Sequence, residues 1–335
     1  MSETYLALYR KYRPQTFQEV VGQDHIVELL KNAVKNGKVP HAYLFCGGRG
    51  TGKTTVARIL AKELGCNPED IIEIDGASNR GIDEIRELRE AVRTAPFSSP
   101  YKVYIIDEVH MFTKEAANAL LKTLEEPPSH VIFILATTDP DRLPQTIVSR
   151  CQKITFKNPD IETLTKRLSY VVKEEGGPEL SEQSLRHIAA HGKGSYRDAL
   201  GILEQVLTSA GKLKNVAEEK IEAMLGIPKS ESIIKLLDAV CRKDERKLVS
   251  TIAGLRGTDA LTTYDELIQY VRLGILVRVG EAIENKEIEQ LALEFPRAIG
   301  SKMLLGLIER RPLLEVSDAH AWTALEAITL SLIED

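Results

Sequence analysis

The chain has 335 residues, more than one packed core usually serves, so two or three domains are expected. Its 43% hydrophobic and 28% charged residues suit a globular protein, and no apolar run approaches the roughly 20 residues that span a bilayer. A net charge of −5 argues against a protein that coats DNA by bulk charge, while leaving room for a local basic track.

Met1–Tyr12 carries no apolar core of a signal peptide, and the chain reads as cytoplasmic. Ala42–Cys46 is a short apolar run followed by glycines, and Thr54–Leu64 has helical composition. Ile71–Ile74 is rich in β-branched residues. Ile82–Arg93 fits a helix, Tyr101–Asp107 a strand ending in carboxylates, Lys114–Leu124 a second helix and Val131–Thr137 a further strand. Alternating strands and helices predict an α/β domain, a parallel sheet covered by helices on both faces. The character changes near residue 160. Asn158-Pro159-Asp160 starts a helix that sets Ile161, Leu164, Leu168 and Val171 on one face, and Gly176-Gly177-Pro178 breaks it. A second helix carries Leu185 and Ile188. A third begins at Ser195, with Asp198 three residues on as a capping signal. From Pro228 onward every periodic segment is helical, as in Ile233, Leu236, Leu237 and Val240. Cys46, Cys66, Cys151 and Cys241 lie far apart without CxxC spacing, so neither a zinc site nor a disulfide framework is expected.

The strongest chemical signal is Gly47, Gly48, Arg49, Gly50, Thr51, Gly52, Lys53 and Thr54, a complete GxxxxGK[ST] between a predicted strand and a predicted helix. Glycines let backbone N–H groups turn toward phosphate oxygens, and the helix that follows, which takes in Thr55, presents its positive end to the anion. Lys53 is expected to reach the β- and γ-phosphates and the Thr54 hydroxyl to ligate Mg²⁺. The strand end Asp107-Glu108 supplies the matching carboxylates: Asp107 to support the metal, Glu108 to orient and deprotonate the attacking water. Two carboxylates after an apolar strand are ordinary solvated groups by themselves; beside a phosphate loop they indicate ATP hydrolysis.

Further segments carry a family resemblance. Tyr9-Arg10-Lys11-Tyr12-Arg13-Pro14 and Phe17–Gln23 look like the opening of clamp-loader ATPases of the AAA+ class. Asp75–Gly81, Asp107–Met111, Leu121–Pro128, Ala136–Pro140, Ser149-Arg150-Cys151 and Gly194–Leu200 follow in the order found in bacterial DNA polymerase III gamma/tau subunits, which the chain closely resembles over residues 5–205. Beyond residue 226 the resemblance rests on helical character and length, similar to that family's collar domain. It implies an AAA+ nucleotide-binding domain over 1–160, a small helical lid over 161–225 and an all-α collar over 226–335.

The resemblance also assigns roles. Thr138 matches sensor 1 near the γ-phosphate, Arg197 matches sensor 2 on the lid, and Arg150 matches the arginine finger that serves a neighbouring subunit's ATP. Tyr12, Val20 and Val21 lie where the family holds adenine. Arg80, Arg86, Thr113, Arg142 and Thr146 fall where the family tracks primer–template DNA through its phosphates. The partners implied are delta and delta-prime subunits, other copies of the chain and the beta sliding clamp. One departure is plain: the four-cysteine zinc module usual in the family has no room in Gly65–Asp70, which holds only Cys66, so no zinc is expected. A non-hydrolysing stator-like subunit is the first alternative, disfavoured by intact Lys53, Thr54, Asp107 and Glu108. The second is a branch-migration-type AAA+ helicase, disfavoured by the collar-like third part.

Overall fold

The computed structural model describes residues 6–79, 81–211, 213–283, 285–315 and 318–334. It divides into two compact units, one up to Asn215 and one from Val216 onward.

In the first unit, α1 (Leu8–Lys11) and α2 (Asp24–Lys35) precede β1 (Ala42–Cys46). Then come α3 (Lys53–Glu63), β2 (Ile71–Asp75), α4 (Ile82–Val92), β3 (Lys102–Asp107), α5 (Lys114–Glu125), β4 (Val131–Thr137), α6 (Gln145–Val148) and β5 (Gln152–Thr155). The strands form one parallel sheet in the order β2-β3-β4-β1-β5. β1 and β4 are buried at every position, as expected of central strands covered on both sides. Their side chains alternate between two cores. Tyr43, Phe45, Ile132 and Ile134 pack on one face with Ile26 and Leu30 of α2 and Val56, Ile59 and Leu60 of α3. Leu44, Val131, Phe133 and Leu135 pack on the other with Ile85 and Leu88 of α4 and Leu120 and Leu124 of α5. Phe133 is fully buried and stacks on Tyr104 at 5.5 Å between ring centroids. Phe133→Ala is expected to destabilise this unit by about 3–5 kcal/mol, read from urea unfolding; a loss below about 1 kcal/mol would contradict the packing.

Three further helices complete the first unit: α7 (Ile161–Glu174), α8 (Glu182–His191) and α9 (Tyr196–Ala210), each packed against the other two. Side chains cap all three. Asp160 accepts from Thr163 N at 2.7 Å, Ser181 from Ser184 N at 3.0 Å and Ser195 from Asp198 N at 3.2 Å. Leu164, Leu168 and Val171 are buried as expected, but Ile161 is 47% exposed. It is the first helical residue, ahead of the turns that pack. β5 and α2 were not anticipated. β5 is a polar edge strand whose only buried residue is Ile154, so no apolar run marks it.

The second unit is helical: α10 (Glu218–Leu225), α11 (Ser230–Cys241), α12 (Glu245–Leu255), α13 (Ala260–Arg278), α14 (Lys286–Glu294), α15 (Ser301–Arg310) and α16 (Asp318–Glu334). Ile233, Leu236, Leu237 and Val240 of α11 lie in one core with Leu248, Tyr264, Val271 and Leu307. The buried Tyr264 hydroxyl is satisfied by the Leu307 carbonyl at 2.8 Å. Among the described residues no helix is long and apolar enough to cross a membrane.

Candidate active site

The loop between β1 and α3 wraps a pocket at the carboxyl ends of the strands. Gly52 caps α3 at φ +103°, a conformation that side-chain-bearing residues rarely adopt. Gly50 sits at φ +70°, and a Cβ there would collide with the Ser195 hydroxyl. Gly47 N–H donates to the Thr137 carbonyl at 3.3 Å, tying the start of the loop to the end of β4. Thr51 is buried and its hydroxyl donates to Gly48 O at 2.9 Å.

Lys53 is buried, with Nζ donating to Gly47 O and Gly48 O, each at 2.8 Å. Burial lowers its pKa, while the nearby Glu108 and Asp107 carboxylates oppose that shift. An ammonium held this way is already desolvated, and a phosphate oxygen can take the place of the two carbonyls. Thr54 Oγ1 donates to Asp107 Oδ2 at 2.7 Å. A hydroxyl and a carboxylate oxygen lie side by side there, the hard oxygen donors that Mg²⁺ prefers, so the residues fit that ion.

Glu108 follows β3 in the left-handed region, φ +48° and ψ +44°, which costs an L-residue about 1–2 kcal/mol. The kink turns the chain so that Glu108 Oε2 accepts from Thr138 Oγ1 at 3.0 Å and Thr138 N at 3.3 Å. The expected base and the expected sensor are thus in contact.

The same pocket is lined by Tyr12, Val20, Val21, Arg49, Gly50, Thr51, Gly52, Lys53, Thr54, Thr55, Asp107, Glu108 and Arg197. Gly47 and Gly48 do not line it, and their carbonyls hold Lys53. Tyr12 is fixed from the helical side: Arg167 Nη2 donates to its carbonyl at 2.6 Å, and burial followed by a hydrogen bond to Glu175 raises the pKa of its phenol. Arg197 is solvent-exposed on the first turn of α9.

Arg150 does not line this pocket. Its Nη2 pairs with Glu125 Oε1 at 2.5 Å and its Nη1 donates to Thr146 O at 2.8 Å. Of the expected DNA contacts, Arg86 lies on α4, Thr113 caps α5 by accepting from Ala116 N at 3.2 Å, and Thr146 lies on α6. α5 packs against both α4 and α6. Arg142 ends the turn after β4 and pairs with Asp139 at 2.9 Å. All four are exposed. Arg80 lies outside the described residues.

Sequence reasoning missed several residues. Arg13 lines the pocket, half-buried, with its pKa lowered by burial and then by Arg58 and Arg197. Tyr196 also lines it, and its hydroxyl donates to Val21 O at 2.8 Å, joining α9 to the segment before α2. Both belong to segments singled out for resemblance, Tyr9–Pro14 and Gly194–Leu200, which was the available signal.

Comparison with known proteins follows the same lines. A family model described as DNA polymerase III, delta subunit matches residues 22–81 and 68–160. Solved structures of RuvB from Thermotoga maritima share the AAA+ fold. One, titled a Holliday junction branch migration motor, has TM-score 0.54 and 22% identity over 68% of this chain and 79% of that one. Likeness at that identity concerns the fold alone. The chain is 39% identical to the DNA polymerase III tau subunit of Bacillus subtilis, over 91% of this chain and 59% of that one. It is 38% identical to the tau subunit of Escherichia coli, over 82% of this chain and 45% of that one. It therefore spans only about half the length of these two relatives. Against the DNA polymerase III gamma subunit of Buchnera aphidicola (strain APS) the identity is 42%, covering 72% of each chain. With that much of a relative's length matched, the chain belongs to the DNA polymerase III gamma/tau subunit family.

Proposed function

We propose that the chain is the ATP-hydrolysing motor of a bacterial sliding-clamp loader. The observation that carries this reading is one pocket lined by Lys53, Thr54, Asp107 and Glu108, with Glu108 held by Thr138, in a chain of this family. In the reaction, the water oxygen bonds to the γ-phosphorus while the bond to the β,γ-bridging oxygen breaks. The electron pair leaves on ADP, and Glu108 takes the water's proton. Lys53 and the backbone N–H groups of the loop hold the phosphates, and Arg197 reaches the γ-phosphate from α9. Thr54 and Asp107 would hold Mg²⁺, which when bound neutralises charge on the phosphate oxygens.

The position of Arg150 outside the chain's own pocket supports a role in trans, at the ATP of an adjacent subunit. On this reading, residues 1–160 bind nucleotide, 161–225 act as the lid and 226–335 form the collar that joins subunits. The partners are delta, delta-prime, further copies of the chain, the beta clamp and primer–template DNA. Arg86, Thr113, Arg142 and Thr146 contact the DNA backbone, which makes binding salt-sensitive and indifferent to sequence. The chain works in the cytoplasm.

Reconstitution tests the reading. The chain mixed with delta, delta-prime and beta clamp is expected to leave clamps on primed circular DNA only when ATP is supplied. Retention of clamps independent of ATP, or none from a stable complex, would contradict it.

A further inference from the structure

A histidine outside the phosphate loop and the acidic pair touches the carboxylate on which the proposed chemistry turns. His110 lies in the short turn Val109–Met111 after β3, and its side chain is 9% exposed. Its Nδ1 is 3.0 Å from Thr137 Oγ1, at the fully buried end of β4, and 3.4 Å from Glu108 Oε2. That Thr137 oxygen also accepts from Asp139 N at 3.0 Å. Glu108 Oε2 already accepts from the hydroxyl and the amide of Thr138, whereas Oε1 takes no partner among the described residues.

The Glu108 carboxylate beside Nδ1 favours the tautomer protonated there. The Thr137 hydroxyl accepts from Asp139 N–H and can either donate to Nδ1 or accept from Nδ1–H; we assign the latter. The opposite arrangement, with the proton on Nε2 only, aims an Nδ1 lone pair at a carboxylate oxygen and is repulsive. An Nδ1–H between Thr137 Oγ1 and Glu108 Oε2 satisfies both acceptors. It also braces the strained backbone at Glu108 against the end of β4.

We propose that His110 is a positioning residue for Glu108. Its Nδ1–H, with the two Thr138 donors, anchors Oε2 to the end of β4, and Oε1 is left to accept the proton of the attacking water. The inference rests on Glu108 being the base. Proton transfer is sensitive to heavy-atom placement within hydrogen-bond reach. A carboxylate released to rotate retains nucleotide binding and loses turnover.

The test uses the complex assembled with delta, delta-prime, beta clamp and primed DNA, carrying His110→Leu, His110→Asn, His110→Gln or Glu108→Gln in this chain. His110→Leu is expected to lower kcat on the order of 10- to 100-fold with KM for ATP little changed. Asparagine sets an amide N–H close to the Nδ1 position and should restore kcat to within about threefold of the parent; glutamine sets it near Nε2 and should not. A purely structural role would instead rank the variants by their melting temperatures, measured alongside. Leucine at parental kcat, or asparagine and glutamine equally active, would overturn the proposal. Should Glu108→Gln itself retain turnover, the assignment of the base fails, and that outcome is distinguishable from failure of His110 alone.

Discussion

Lys53→Ala is expected to weaken ATP binding by the isolated chain by about 100-fold, the loss of charge-assisted hydrogen bonds of about 3 kcal/mol. The lysine is buried at the base of the loop and donates to two of its carbonyls. Nucleotide binding exchanges those carbonyls for phosphate oxygens. Alanine therefore removes the phosphate contact and also takes the Nζ donor from Gly47 O, while Gly48 O keeps the Thr51 hydroxyl. Arginine is not a conservative replacement, because a planar guanidinium does not fit where a compact ammonium is enclosed. Titration calorimetry of the isolated chain checks this, and an unchanged Kd would remove Lys53 from the phosphate site.

Arg150→Ala is expected to do the opposite. ATP binding by the isolated chain should be unchanged, because Arg150 does not line its pocket. In the assembled complex, hydrolysis should fall on the order of 10³-fold, the usual contribution of an arginine supplied in trans. Stability should hardly move, since a solvent-exposed ion pair such as Arg150–Glu125 contributes about 0–1 kcal/mol. The pair has a second consequence. To meet a neighbour's phosphate, Arg150 must leave Glu125 or carry it along, so Glu125→Ala should alter turnover without altering Kd. Loss of ATP binding in isolated Arg150→Ala would show that the arginine acts on its own chain's nucleotide.

Much of this site was legible in the sequence because its parts are contiguous. Gly47 to Gly52 must form one loop between a strand and the helix that Lys53 and Thr54 open, and Asp107-Glu108 must stand at the end of the strand that precedes them. His110 was not legible as a partner of Thr137, because their contact joins the ends of β3 and β4 across 27 residues. Nor was the bond from Tyr196 to Val21, separated by 175 residues, although both segments resembled the family. The sheet followed the same logic. β1, β4 and the middle of β3 are buried and largely apolar, so composition revealed them; β5 has a single buried residue and pairs along β1 through its backbone. Ile161 fits a helical period yet faces solvent, because periodicity identifies a face and not where along the helix the packing begins.

The central claim is that catalysis needs residues from two adjacent subunits, and steady-state ATP turnover per chain tests it most directly. The chain alone is expected to turn over slowly. Turnover should rise by orders of magnitude when delta, delta-prime, beta clamp and primed DNA are added together. It should fall back toward the rate of the isolated chain when the complex is built with Arg150→Ala. Equal turnover by the isolated chain and by the full assembly would contradict the account.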